Sequence, residues 1–324
     1  MGVLIQDSGN FQKLVGLYEN PLLEYWQDRY TDAIKDSMIP VLFDEVKSDN
    51  ATEAISEMVG TPEFKQWNGE FTYGTAAEGG TKVFTPLIWQ AGMAYDRFLL
   101  SNAKLVNLKT DQGKFAIAAA RLRENAMAGI FTYADQSSYT INGVPLNWTI
   151  SSNGLPLAST SQTSANNGGA LQSNLSNLEL NEANLEAVCQ KMFDLKDQNN
   201  NDANLSPDTL VVPTALRQKA IEIIGGFGKV DTADNNPNIF NGSMKLIVWK
   251  QFRKQVGKTG QPWAVLDSQA TKESFKLINR LESGDDYELS SWKNNEDQTW
   301  RLGSLMWFSG GSFAWESAQF SIPS

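Results

Sequence analysis

The stretch from Asn181 to Ile224, set beside a complete absence of histidine, limits this chain more than any other feature. Asn181 is placed to cap a helix whose buried stripe is Leu185, Val188, Met192 and Leu195, with Leu180 positioned to staple onto Leu185. A polar loop then leads to the strand-like run Thr209-Leu210-Val211-Val212-Pro213. Pro213 opens a second helix faced by Leu216, Ala220 and Ile223, and Gly225-Gly226 closes it. This order is a packing unit with no chemistry written on it. Without His, and with Cys189 as its one cysteine, the chain lacks most nucleophiles, proton shuttles and metal ligands. Surface and shape are what remain for function.

At 324 residues the chain has room for roughly two domains and a real core. No apolar run approaches the ~20 residues needed to span a bilayer. The start, Met1 to Asp7, has neither a basic region nor a long apolar one, so export is not expected, and Gln6 stands where a myristoylation signal needs Ser or Thr. The reducing cytosol fits best, and Cys189, inside a helical pattern, reads as a buried small hydrophobe. A net charge of −10 argues against tight, sequence-independent nucleic-acid binding. Residues 1–60 hold 4 basic and 11 acidic side chains, either a plain solvated face or a wall that avoids DNA or draws a basic partner.

Along the chain, residues 1–19 read as an arm, and Asn20-Pro21 as the entry of a helix that runs to Pro40. From Glu70 to Leu100 the pattern turns to β, with Phe71-Thr72-Tyr73 and Val83-Phe84-Thr85 flanking a turn at Ala76-Ala77-Glu78-Gly79-Gly80. A hairpin reaching ~30 Å with so little core of its own needs a partner to lie on. Asp111 to Tyr133 is the strongest helix, stepping through Phe115, Ala119, Leu122, Ala126 and Ile130, and is long enough to be a spine. Residues 136–178 hold no charge; Asn142-Gly143 marks a type I′ hairpin there, followed by a long irregular loop. Further strands are expected at Lys245 to Trp249, Trp263 to Leu266, Thr299 to Phe308 and Ser312 to Phe320, the last two joined through Gly310-Gly311. The class is α+β, without regular βαβ alternation.

The chemical candidates are weak. Gly257-Lys258-Thr259 lacks the earlier glycine of a phosphate loop, and Gly260-Gln261-Pro262 cannot start its helix, so it reads as a turn. Gly225-Gly226-Phe227-Gly228 follows a helix rather than a strand. Asp197, Asn199, Asn201 and Asp208 fit part of a calcium-loop spacing, but Asp202 occupies the glycine position. The neighbouring acids Asp44-Glu45 and Asp285-Asp286 leave a carboxylate-based hydrolase as an alternative, although nothing fixes two acids at the required separation. Most of the Trp residues are expected in the core or at interfaces.

Taken in order, three segments carry a resemblance. They are Phe64-Lys65-Gln66-Trp67-Asn68-Gly69-Glu70; Asn142-Gly143-Val144-Pro145-Leu146; and Asn174-Leu175, Leu180-Asn181 and Pro207-Asp208-Thr209-Leu210-Val211-Val212-Pro213 with Leu216 and Ala220. The later segments Asn238-Ile239-Phe240-Asn241-Gly242 and Pro262-Trp263-Ala264-Val265-Leu266 agree in kind. The chain thus resembles the major capsid proteins of tailed bacteriophages, most closely the Mu-like prophage major head subunit family. It departs from them where relatives carry a His-Pro pair and this chain has Ser161-Gln162-Thr163-Ser164-Ala165.

The resemblance implies the Hong Kong ninety-seven (Johnson) type capsid fold: an N-terminal arm and helix over 1–60, an extended β-hairpin loop over 61–104, and a peripheral domain with the spine helix over 105–149. An axial domain would take up 150–297, and return strands of the peripheral domain 298–324. It implies hexamers and pentamers of an icosahedral shell around double-stranded DNA, contacted weakly and non-specifically, in a virion assembled in the bacterial cytoplasm. Portal, scaffolding and decoration proteins would be partners. A host-encoded nanocompartment of the same fold is the nearer alternative. No catalytic, cofactor-binding or metal-binding residue and no membrane contact is expected. No scaffolding segment precedes the arm, so a separate scaffold or none is expected, with little cleavage of the chain. Lys82, in the projected loop, has no partner signal for crosslinking, so monomers are expected on denaturing gels.

Overall fold

The computed structural model describes residues 8–59, 64–71, 73, 77–102, 105–163, 171–197, 201–225, 240–281 and 285–324. The elements in chain order are α1 Ser8–Ile34, α2 Ile39–Leu42, β1 Asp44–Lys47, β2 Glu53–Val59, β3 Ala77–Phe84, β4 Leu87–Asp96, α3 Arg97–Asn102 and α4 Leu105–Thr132. They continue with β5 Tyr139–Ile141, β6 Val144–Leu146, β7 Leu175–Ser176, α5 Glu182–Phe193, β8 Thr209–Pro213, a 3₁₀ turn Thr214–Leu216, α6 Arg217–Gly225, β9 Lys245–Trp249 and β10 Trp263–Leu266. The chain closes with α7 Ser268–Ser274, β11 Phe275–Asn279, β12 Glu288–Asn294, β13 Thr299–Ser312 and β14 Ala318–Ser321.

Two mixed sheets organise the molecule. The first has the order β1-β11-β13-β12, with β4 also paired to β13 from Leu87↔Phe308 to Asp96↔Thr299. The second has the order β7-β14-β10-β8-β9. The spine α4, ~42 Å at ~1.5 Å per residue, buries Phe115, Ala116, Met127, Ile130 and Phe131 in the main core. The unit that opened the sequence reading forms a second cluster, in which Leu180, Leu185, Val188 and Met192 meet Leu210, Val212 and Ala220. Asn181 accepts the Asn184 N–H at 2.8 Å, which satisfies one of the helix's orphan donors. The β5–β6 hairpin turns at Asn142 (φ 49°) and Gly143 (φ 82°), the positive values a type I′ turn requires.

Three expectations are corrected. Residues 8–19 are not an arm: α1 runs unbroken from Ser8, with Pro21 inside it. Phe11, Val15, Leu22, Trp26 and Tyr30 form one buried stripe along α1. At ~1.5–3 kcal/mol per large apolar side chain, that burial outweighs the ~3 kcal/mol an internal proline costs. Residues 1–7 lie outside the described residues.

The second correction concerns Gly310-Gly311, which is no turn, since β13 passes straight through it to Ser312. A Cβ at Gly310 would meet Met127 Sδ at 2.6 Å, so glycine here lets the strand approach the spine. The third concerns the division at 297. β11 and β12, expected in the axial segment, pair in the first sheet, whereas β14 joins the second. β14 is buried along its whole length, so no alternation in the sequence marked which sheet it would enter.

Candidate assembly surfaces

The hairpin differs in register from its sequence expectation. β3 pairs with β2, from Glu53↔Phe84 to Val59↔Ala77 with a bulge between Ser56 and Met58. Phe71 and Tyr73 lie beyond the paired strands, and Thr72 and Ala76 outside the described residues. Glu78, Gly79 and Gly80 belong to β3, not to a turn. A Cβ at Gly80 would sit 2.6 Å from the Ser152 carbonyl oxygen, so the glycine marks close backbone approach.

Beyond the paired strands stands an aromatic tip. Phe64, Trp67, Phe71 and Tyr73 are 105%, 64%, 74% and 87% exposed. Trp67 and Phe71 meet edge to face at 5.1 Å, and Phe71 lies 6.5 Å from Tyr73. None of the other described residues buries them. Val83 on the outer side of β3, and Phe98, Leu99 and Val106 around α3, add further exposed apolar surface.

Lys82 is the main revision at the base of the loop. It is buried, and its Nζ donates to the Trp148 carbonyl at 2.8 Å and to the Ile150 carbonyl, 5.2 Å from the Phe84 ring. Burial lowers its pKa to about 7. It pins the stem of the loop to the body and is not presented to a neighbour. Beside it, Ser152 Oγ donates to Glu57 Oε2 at 3.4 Å. The Glu316 carboxyl is pushed up to about 8, by burial first and then by the Glu57 carboxylate.

Three of the four neighbouring acids weighed for hydrolysis hold cations of the body. Glu45 and Asp286 both grip the buried Arg123 of α4, Glu45 at 2.7 Å, while Asp44 takes Lys276 at 2.6 Å. Cys189 is buried, and burial, aided by Glu186, raises its thiol to about 12. In the calcium-like loop Asp208 accepts the Ser268 N–H at 2.9 Å, Asp202 pairs with Lys196, and Asp197 accepts the Asn201 N–H at 2.8 Å. Asn199 lies outside the described residues, as do Gly226 to Gly228, and Asn238 and Ile239. Among the described residues no cluster of His, Cys, Asp and Glu could hold a metal ion, and no helix is long and apolar enough to cross a membrane. Gly257 turns at φ 88°, and Thr259 Oγ1 donates to the Ser324 carbonyl at 2.5 Å, as a turn would.

The resemblance segment around Asn174 acquires a physical meaning that its spacing did not reveal. Asn174 is fully buried. Its Nδ2 donates to the Leu157, Trp315 and Ala318 carbonyls at 2.7, 3.1 and 3.2 Å, and its Oδ1 accepts the Ser159 N–H at 2.9 Å. Gln162, in the region where relatives have His-Pro, is buried too and donates to Pro156, Leu157 and Asn174. One amide therefore ties the uncharged loop to the segment between β13 and β14.

These features together define a tailed-phage capsid fold of the Hong Kong ninety-seven type. The chain is similar along most of its length to the bacteriophage PhiM1 mature capsid protein (TM-score 0.56, 10% identity, 89% of this chain and 87% of that one). It is comparably similar to a protein of Microbacterium phage Oxtober96 (0.54, 11%, 89% and 90%) and to the capsid of Ralstonia phage GP4 (0.54, 9%, 87% and 87%). More narrowly, residues 169–252 match the family model of the Mu-like prophage major head subunit gpT. No curated protein matches the sequence.

Proposed function

We propose that this chain is the major capsid protein of a tailed bacteriophage, and that its copies form the hexamers and pentamers of an icosahedral shell around double-stranded DNA without catalysing a reaction. The observation that carries this reading is a capsid fold over most of the chain joined to a hairpin whose aromatic tip has no core of its own. A hairpin of this kind is marginal alone in water, and a cluster of exposed aromatics is typical of a protein contact. The family match over residues 169–252 supports the head-protein assignment.

In this reading the first sheet with α1 and α4 makes up the peripheral domain, the second sheet with α5 and α6 the axial domain, and β2 and β3 the extended loop. Portal, scaffolding and decoration proteins are the expected partners, in particles built in the bacterial cytoplasm. Expression of the full chain, alone and with a scaffolding protein, should give shells, tubes or capsomers under negative stain, and nuclease-protected DNA in filled particles. A nanocompartment shell would instead hold protein cargo. Monodisperse monomers under every condition would count against both.

A further inference from the structure

A row of cations, most of them without an acidic partner among the described residues, runs beside the spine helix of this acidic chain. Arg29 of α1, Arg121 of α4 and Lys250 after β9 line one cavity of about 400 Å³. The cavity also contains Asp32 and Glu124, but Asp32 lies 2.7 Å from Lys35 against 3.9 Å from Arg29, and Glu124 is held by Trp249 Nε1 at 2.8 Å and by Ser37. Arg29 Nε is buried without a hydrogen-bond partner. Past Lys250 the segment 250–258 adds Arg253, Lys254 and Lys258 and contains no acid. Among the described residues, Arg121, Lys250, Arg253 and Lys254 form no ion pair, while Lys258 lies 3.9 Å from Asp135.

The segment is fixed in place. Phe252 and Gln255 are buried, Gln255 Nε2 donates to the Thr132 carbonyl at 2.7 Å, and the Arg253 N–H reaches Thr132 Oγ1 at 3.3 Å. Arg253 and Lys254 are left exposed on a backbone anchored to the end of α4. A helix C-terminus attracts cations, but its effect fades within the last turn. Arg121 lies three turns earlier.

We propose that this stripe binds the phosphate backbone of double-stranded DNA without reading sequence, and so marks the face of the subunit turned toward the packaged genome. The proposal rests on the shell reading and deepens it. From Arg121 to Thr132 the helix rises ~16 Å, and one DNA strand carries a phosphate every ~3.4 Å. Arg121 and the Arg253 backbone, tied to Thr132, are thus set about 16 Å apart along the helix, a span that reaches more than one backbone phosphate. The net charge of −10 keeps the rest of the surface repulsive, which confines binding to this face and keeps it weak.

The test measures binding of a labelled random-sequence DNA duplex to the full-length chain across a salt series, for wild type and for the double variant Arg253→Gln, Lys254→Gln. Both side chains are exposed and form no ion pair among the described residues, so thermal melting should not change. Wild type is expected to bind at low salt, and the variant's slope of log affinity against log salt should fall by about 2, at ~0.9 per lost phosphate contact. An unchanged slope, or no wild-type binding at low salt, would overturn the proposal. Polyglutamate competing as well as duplex would overturn it in favour of an acidic protein partner. Loss of particles in the variant with duplex binding intact would reassign the stripe to contacts between copies. Negative stain of the same samples reports shell formation separately, so failure of the shell reading would appear as missing wild-type particles, with duplex binding still measurable.

Discussion

Asn174 shows how one side chain can hold a fold together. Asn174→Ala would leave the Ser159 N–H without its partner and take a donor from three carbonyls around a fully buried side chain. At ~1–3 kcal/mol per unsatisfied buried group, the variant should lose about 3 kcal/mol in denaturant unfolding. A loss within experimental error would show that the hub is replaceable. Lys82 makes a different statement, about pH. Its amine falls from 10.5 to about 7 on folding, so between those values the unfolded chain holds a proton that the folded chain lacks, and stability rises with pH. Glu316 works in the opposite sense: the folded carboxyl keeps its proton up to about 8 while the unfolded one loses it near 4.5, so its share of stability falls over that window. The stability of wild type relative to Lys82→Met should therefore climb from about pH 7 toward 10.5 and stay level below 7. A flat difference across the range would mean that the amine is solvated. The cap at Asn181 and the turn at Asn142-Gly143 were legible in the sequence because their partners lie within a few residues. The burial of Lys82 was not, because Trp148 lies 66 positions away.

Among elements, the legible ones carry their own periodicity: α4, α5, β8, β9 and β10 fall close to where the pattern put them. The misread ones depend on distant partners. α1 crosses Pro21 because its stripe is buried against Tyr95, Leu108 and Trp300, and β3 carries a glycine at position 80 because Ser152 leaves no room for a side chain there. Gly80→Val should lift the stem of the loop and expose the hairpin to protease while the melting of the main core is retained; protection equal to wild type would contradict the tight approach. The tip makes a complementary prediction. Trp67→Ala with Phe71→Ala should leave subunit stability within ~0.5 kcal/mol, as for other exposed substitutions, but abolish or severely reduce assembly as judged by particle yield. A normal particle yield would show that the tip contributes nothing to the lattice.

At the scale of the whole molecule, the ordered segments from Asn142 to Pro213 pointed to the fold before any coordinates did, since they lie on successive packing units of one architecture. How the subunit manages its ends was hidden. Its first described helix folds onto its own body, and the aromatic tip and the apolar surface around α3 are among the exposed apolar side chains left for neighbours. The subunit is thus more self-sufficient at its first helix than its sequence suggested, and the exposed tip is where its need for siblings can be tested. A reconstruction of assembled particles tests this most directly. Closed shells in which the 64–73 tip lies against an adjacent subunit are expected, with α1 packed on its own spine. Shells whose tips touch only their own subunit, or a chain that never assembles, would contradict it.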